Sequence, residues 1–175
     1  VTEYQFEGFN LARDAVHRTA EEKGWWEPQE RIVALPLHGR PVTAMVDRTF
    51  SDLIALVHSE ASEALEDYRG GMNPREIRWQ FIARPGGARV ERVVHQGRDV
   101  WADLYDGAGR VRITALNAAE YGFEAKPHGI PVELADIIIR VLDMCGHYGI
   151  DIEAAMLAKA KYNESREHRH GGKKL

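Results

Sequence analysis

Apolar and polar positions along the chain alternate between two periods. Residues 9–23 carry a helical pattern that Gly24 stops. Segments 31–37 and 42–46 flank His38-Gly39-Arg40-Pro41 and predict either a hairpin or an ordered loop. A strong helix is expected over 51–69, with Ser51 as its N-cap and Gly70-Gly71 as its end. The pattern then changes. Residues 77–123 are rich in Val, Ile, Trp and Tyr, with glycine punctuation. They predict strands at 77–83, 89–95, 100–105 and 110–116, the last two joined by Asp106-Gly107-Ala108-Gly109. Helical patterning resumes over 132–147, after Pro127, Gly129 and Pro131, and again from an Asp151 cap to about 166. The basic end, 168–175, is expected to be loose. The expected architecture is therefore mainly α. It is a single domain over 1–175 with a small antiparallel β insertion at about 75–123, between the helices at 51–69 and 132–147.

Those two helices hold the candidate chemistry. In the second, only Asp136 and Arg140 interrupt an apolar run from Leu134 to Leu142. Such a helix is expected to be largely buried, apart from one stripe. At ~100° per residue, Glu133, Asp136, Arg140 and Asp143 share an arc of about 80°. In the first helix Glu60 and Glu63 stand three apart, with Asp67 one turn on. Glu60 borders the apolar stripe formed by Leu53, Val57, Ala61, Ala64 and Tyr68, and Glu63 lies further round. If the two pairs face each other, carboxylates ~5 Å apart repel by about 3 kcal/mol at an effective dielectric near 20. That arrangement needs cations or protons. An all-oxygen, highly charged donor set suits Mg²⁺, with Mn²⁺ as a possible substitute.

Composition narrows the classes. The 175 residues are 44% hydrophobic and 29% charged, with net charge −4, which does not favour a nucleic-acid coat or an anionic membrane. No apolar run approaches the length of a membrane span, and VTEYQFEGFN lacks a basic-then-apolar signal pattern. The lone Cys145 lies in an apolar run and reads as a buried hydrophobe. The expected compartment is a reducing cytoplasm. No GxxxxGK[ST] loop is present, and neither acidic pair has the histidine that a di-iron Glu-x-x-His site requires.

Several blocks resemble one family. Glu60 and Glu63 in HSEASEALEDYR, Glu133 and Asp136 in KPHGIPVELADIIIRVLD, the KAKYNESREHRHGGKKL block and KGWW are similar to MazG-like nucleotide pyrophosphohydrolases. These belong to the all-α NTP pyrophosphatase superfamily. The resemblance covers residues 9–26, 50–71 and 126–174 and omits the β insertion. It implies a helical bundle in which Glu60, Glu63, Glu133 and Asp136 hold Mg²⁺ and the ions hold a nucleoside triphosphate. It implies cleavage to monophosphate and pyrophosphate, with water activated by Glu60 or Glu63 and Asp67 a weaker candidate base. Where the family often has a further acid, this chain has Ser59. The resemblance also implies nucleotide contacts from Lys159, Asn163 and Arg166, which share a helix face with Tyr162. A base pocket would draw on Trp25, Trp26 and His17, with Asn10 two turns away on the same helix face. Two to four amphipathic helices per chain lead to the expectation of a homodimer or dimer-based oligomer. A non-catalytic helical interaction module is the alternative, and a nucleic-acid binder is disfavoured.

Overall fold

The computed structural model describes residues 5–34, 41–83, 90–96, 99–106 and 109–166. The elements are α1 (Phe9–Glu22), β1 (Gln29–Ala34), β2 (Val42–Val46), α2 (Phe50–Arg69), β3 (Arg78–Ala83), β4 (Val90–Gln96), β5 (Asp99–Asp106), β6 (Gly109–Thr114), a 3₁₀ turn (Ala118–Tyr121), β7 (Phe123–His128), α3 (Ile130–His147) and α4 (Ile152–Glu164). The fold is mainly α with small antiparallel sheets. The chain forms two compact units, Val1–Val57 with Ile138–Leu175, and His58–Ile137. Among the described residues no helix is long and apolar enough to cross a membrane.

In the first unit, β1 and β2 pair antiparallel from Gln29↔Val46 to Ala34↔Val42, so the hairpin alternative holds. The segment expected to turn it lies mostly outside the described residues, as does the basic end. The start of α2 differs from expectation. Thr49, not Ser51, forms the cap: the Thr49 backbone N–H donates to Asp52 Oδ2 at 2.8 Å, and the Asp52 N–H donates to Thr49 Oγ1 at 3.2 Å. This is a capping box one turn long, and it satisfies two otherwise orphaned donors. Arg31 donates to both Asp52 oxygens at 3.1 Å, tying β1 to the same carboxylate. At the other end of the unit Asp151 caps α4 as its sequence position predicts, accepting from the Ala154 N–H at 3.0 Å. Glycine at the N-cap gives α1 no side-chain cap of its own. Glu153 supplies one from α4, accepting the Gly8 and Asn10 N–H groups at 2.8 and 2.9 Å.

The second unit has its core at Ala102, Ile113, Ala118 and Phe123, with Phe81, Val111, Tyr121 and Ala125 against it. The expected strands appear as β3 to β6, but not as one sheet. Strands β4, β5 and β6 form a three-stranded antiparallel sheet, while β3 pairs with β7. Strand β7 is a correction, because Pro127 had marked that segment as a helix leader. Its residues alternate around the buried Phe123, and Pro127 stands opposite Trp79 in a two-stranded ladder where a missing N–H can face outward. Helix α3 starts at Ile130, two residues early, with Pro131 in its first turn where no N–H is needed. Gly129 precedes it at φ 110°, and a Cβ there would stand 3.1 Å from the Glu76 carbonyl oxygen.

One expectation about α3 fails. Leu134, Ile138 and Ile139 are 50%, 54% and 45% exposed, so the apolar run is not largely buried within the chain. Burial is confined to Ile130, Leu142, Asp143, Met144 and Cys145. Helices α1 and α4 bury no residue.

The capping box makes a pH prediction. The Thr49 N–H, then Arg31, then the Thr49 hydroxyl draw the Asp52 pKa from 3.8 down to about 2. A depressed carboxylate stabilises the fold fully above its unfolded pKa and loses that contribution as pH falls through the folded one. Thermal melts between about pH 5 and pH 2 are therefore expected to fall more steeply for the wild type than for Asp52→Asn.

Candidate functional site

Three acids converge in the second unit. One carboxylate oxygen each from Glu60, Glu63 and Glu133 lies within 4.8 Å of the others. The geometry follows from helical spacing: Glu60 and Glu63 are i, i+3 on α2, and Glu133 sits in the first turn of α3. Glu60 is buried, Glu133 half-buried and Glu63 exposed, in keeping with Glu60 bordering the apolar stripe and Glu63 lying further round. Asp136 stands outside this triad, so the structure gathers three of the four expected ligands. Its charge is still felt. The Glu133 carboxyl is held above its ordinary range by burial first, then by Glu63, Asp136, Glu60 and Asp67. The N-terminal position on α3 favours the ionised form, and burial and repulsion outweigh it.

The donor set fits a hard divalent cation. All three groups offer carboxylate oxygen, and each is an anion when ionised. A cation at their meeting point would replace mutual repulsion with attraction. The Ser59 hydroxyl lies 3.5 Å from Glu63 Oε1, too far for a strong bond.

The first unit has a different polar centre, built on Asp143. Its Oδ1 accepts from His17 Nδ1 at 2.8 Å and from Trp26 Nε1 at 2.9 Å, and the residue is 5% exposed. Trp26 stacks on His147 with centroids 3.7 Å apart and planes 2° apart. His17 packs directly on α3, where a Cβ on Gly146 would stand 2.4 Å from the His17 Cβ. The sequence reading placed Asp143 on a charged stripe and missed this role. The signal was its position between Leu142 and Met144, both of which are buried. Trp25 has the guanidinium of Arg48 at 4.0 Å and that of Arg140 at 4.5 Å from its ring centroid. Burial, then Arg31 and Arg140, lower the Arg48 pKa. Beside them lies a cleft of about 420 Å³ lined by Val16, Thr19, Lys23, Trp25, Ile139 and Arg140, among others.

Lys159 on α4 and Arg166, two residues past its end, both lie over the exposed Tyr162 ring, at 5.0 and 5.7 Å. Lys159 and Asn163 also line a shallow apolar groove with Phe6, Ile152 and Met156. Lys159, Tyr162 and Asn163 on α4 and Arg166 just after it do share a neighbourhood. The Asn10 side-chain amide donates to Asp151 at 3.0 Å and so belongs to the α4 cap. Comparisons with protein-family models, with curated proteins and with solved structures find no match for this chain.

Two outcomes test the local arrangement. Because its folded pKa is raised, ionised Glu133 costs stability as pH rises past the ordinary carboxylate range. In EDTA at neutral pH, Glu133→Gln is expected to raise the Tm by about 2–4 °C, what ~1 kcal/mol gives a chain of this length. The gain should shrink as pH falls toward 4. Gly146→Ala drives a methyl into the rigid base of the His17 side chain, and a urea titration should show a loss of about 1–3 kcal/mol.

Proposed function

We propose that this chain is a magnesium-dependent nucleoside triphosphate pyrophosphohydrolase of the MazG-like kind. It would cut an NTP or dNTP to the monophosphate and pyrophosphate. The observation that carries the proposal is the convergence of Glu60, Glu63 and Glu133, the residues that the sequence resemblance marks as cation ligands. Asp136 joins them as a fourth acid through the same resemblance. Bound Mg²⁺ would supply Lewis-acid polarisation of phosphate oxygens and a lowered pKa for an attacking water. The chain's own residues do the rest. Buried Glu60 is the fixed ligand, since its surroundings limit its rotamers. Exposed Glu63 can also reach solvent, so it is the better candidate to orient and deprotonate water. Asp67 is the weaker one.

Lys159 and Arg166 suit phosphate oxygens as charged donors, and Asn163 and Tyr162 suit sugar or phosphate hydrogen bonds. Trp25, Trp26 and His17 are the proposed base contacts. Because Trp26 Nε1 and His17 Nδ1 are engaged by Asp143, Trp26 would act through its ring and His17 through its ring or Nε2. Cleavage at the α-phosphorus rests on the family resemblance. A homodimer or dimer-based oligomer remains part of the proposal, supported by the exposed Leu134, Ile138 and Ile139. The same exposure supports the second reading, a non-catalytic helical interaction module.

Incubation with a panel of NTPs and dNTPs separates the two. The expected result is pyrophosphate release that requires Mg²⁺ or Mn²⁺ and stops in EDTA. Glu60→Gln should lower kcat by about 100-fold or more with the helical circular dichroism unchanged. Lys159→Ala should raise KM more than it lowers kcat. Silence across the panel, or orthophosphate as the product, would overturn the assignment.

A further inference from the structure

The β4-β5-β6 sheet of the second unit has one face in the core and one turned away from it. Ala102 and Ile113, paired in register, are fully buried in the cluster with Ala118 and Phe123. Successive strand residues alternate between faces, so Asp103, Arg110 and Arg112 belong to the opposite face. Asp103 is in register with Arg112 on β6 and with Arg92 on β4, and Arg110 stands two residues along from Arg112. Three arginines are thus grouped around one acid.

That acid is unusual. Asp103 is only 2% exposed. Its Oδ2 accepts from Arg110 Nη2 at 2.6 Å, while its Oδ1 is buried with no hydrogen-bond partner. A half-satisfied buried carboxylate costs stability that an aliphatic residue in its place would not. What the acid provides is position. It pins the guanidinium of Arg110, whose side chain is 54% exposed. Arg112 is exposed as well. One arginine balances Asp103, so positive charge is left over. The other acids of the sheet are peripheral. Asp99 opens β5, roughly 13 Å along the strand from Asp103. Asp106 ends β5 in the alternate row, and Glu91 falls at the β4 irregularity.

Strand alternation also sets Trp101 and Tyr105 on either side of Asp103 in the same row. Over residues 77–123 there are seven arginines and five acids, a positive balance inside a chain of net charge −4. The overall charge that argued against a nucleic-acid partner conceals this segregation.

We infer that this face binds single-stranded nucleic acid. Charge complementarity selects an anion. Arginines two residues apart on a strand, about 6.8 Å, suit successive phosphates of an extended chain better than a lone phosphate. Aromatic positions alternating with charged ones suit unpaired bases, whose faces are open to stacking as those of a duplex are not. The inference stands apart from the catalytic proposal, and either can fail alone.

Fluorescence anisotropy with a labelled thymidine oligomer of about 12 nucleotides tests it. EDTA is kept present, so that the carboxylate cluster of α2 and α3 plays no part. The full chain should bind with a Kd of about 1–100 μM at low salt, weakening as salt rises. Arg112→Gln should raise the Kd about threefold or more and reduce the log–log salt slope by about 0.7, the share of one phosphate on a single strand. Asp103→Asn combined with Arg110→Gln removes the ion pair without stranding a buried charge, and should weaken binding with circular dichroism unchanged. Lys173→Ala with Lys174→Ala, in the basic end, should leave the Kd within about twofold. Duplex of the same length and dTTP at equal phosphate concentration should compete poorly. A wild type without saturable binding below about 1 mM would overturn the inference. So would wild-type affinity and slope in Arg112→Gln, binding lost through the lysine substitutions alone, or displacement by dTTP as effective as by the oligomer.

Discussion

Everything proposed for the second unit depends on an unfavourable interaction, the mutual repulsion of carboxylates that two helices hold close together. Glu60, Glu63 and Glu133 are fixed by backbone geometry, two by helical spacing on α2 and one by the start of α3. Their Cα positions cannot separate without unwinding a helix end, although the exposed Glu63 side chain can still swing toward solvent. The Glu133 carboxyl registers the cost, pushed toward its neutral form by burial and by four neighbouring acids. Perturbed carboxyls of this kind cluster at functional sites, and an all-carboxylate donor set suits a hard cation.

Helix α3 also carries an acid with the opposite fate. Asp143, ten residues after Glu133, is more deeply buried, yet its oxygen receives two N–H donors, from His17 and Trp26. Burial alone therefore does not make a functional acid; the identity of the neighbours does. Acids surrounded by acids are candidates for chemistry. An acid surrounded by donors is a structural hub, here joining α1, the tryptophan pair and the end of α3.

Much of this was legible beforehand, for physical reasons. Periodicity located α1, α2, α3 and α4 to within a few residues, because each helix carries its own apolar spacing. The border position of Glu60 gave its burial. The Asp151 cap was visible as an acid followed by an apolar run. The rest depends on partners distant in sequence. Nothing local announces that β7 pairs with β3, since Pro127 argues against a strand until an edge position is available. Thr49 outcompeted Ser51 as a cap only because Asp52 sits three residues after it and Arg31 arrives from β1. Asp143 looked like one more stripe residue until His17 and Trp26 came to it from more than a hundred residues away. The exposure of Leu134, Ile138 and Ile139 could not be read either, because hydropathy shows that a face needs cover without saying whether the cover is in the same chain.

The arrangement of charges along α2 bears on the proposed chemical role of its acids. A helix face built for water commonly offsets each glutamate with a lysine or arginine one turn away. From His58 to Tyr68 there are four acids and no lysine or arginine, and Arg69 comes only at the helix end. Glu63 has Asp67 at i+4, a like-charge pair that costs about 0.2–0.5 kcal/mol in an isolated helix. Glu60 has Ala64. An interaction surface gains nothing from that pattern, and a replacement by lysine at either position would relieve it. A cation site is favoured by it, because a lysine within reach would compete for the same oxygens. The lack of local neutralisation on α2, together with the arrival of Glu133 from α3, is what the proposed divalent-ion site draws on.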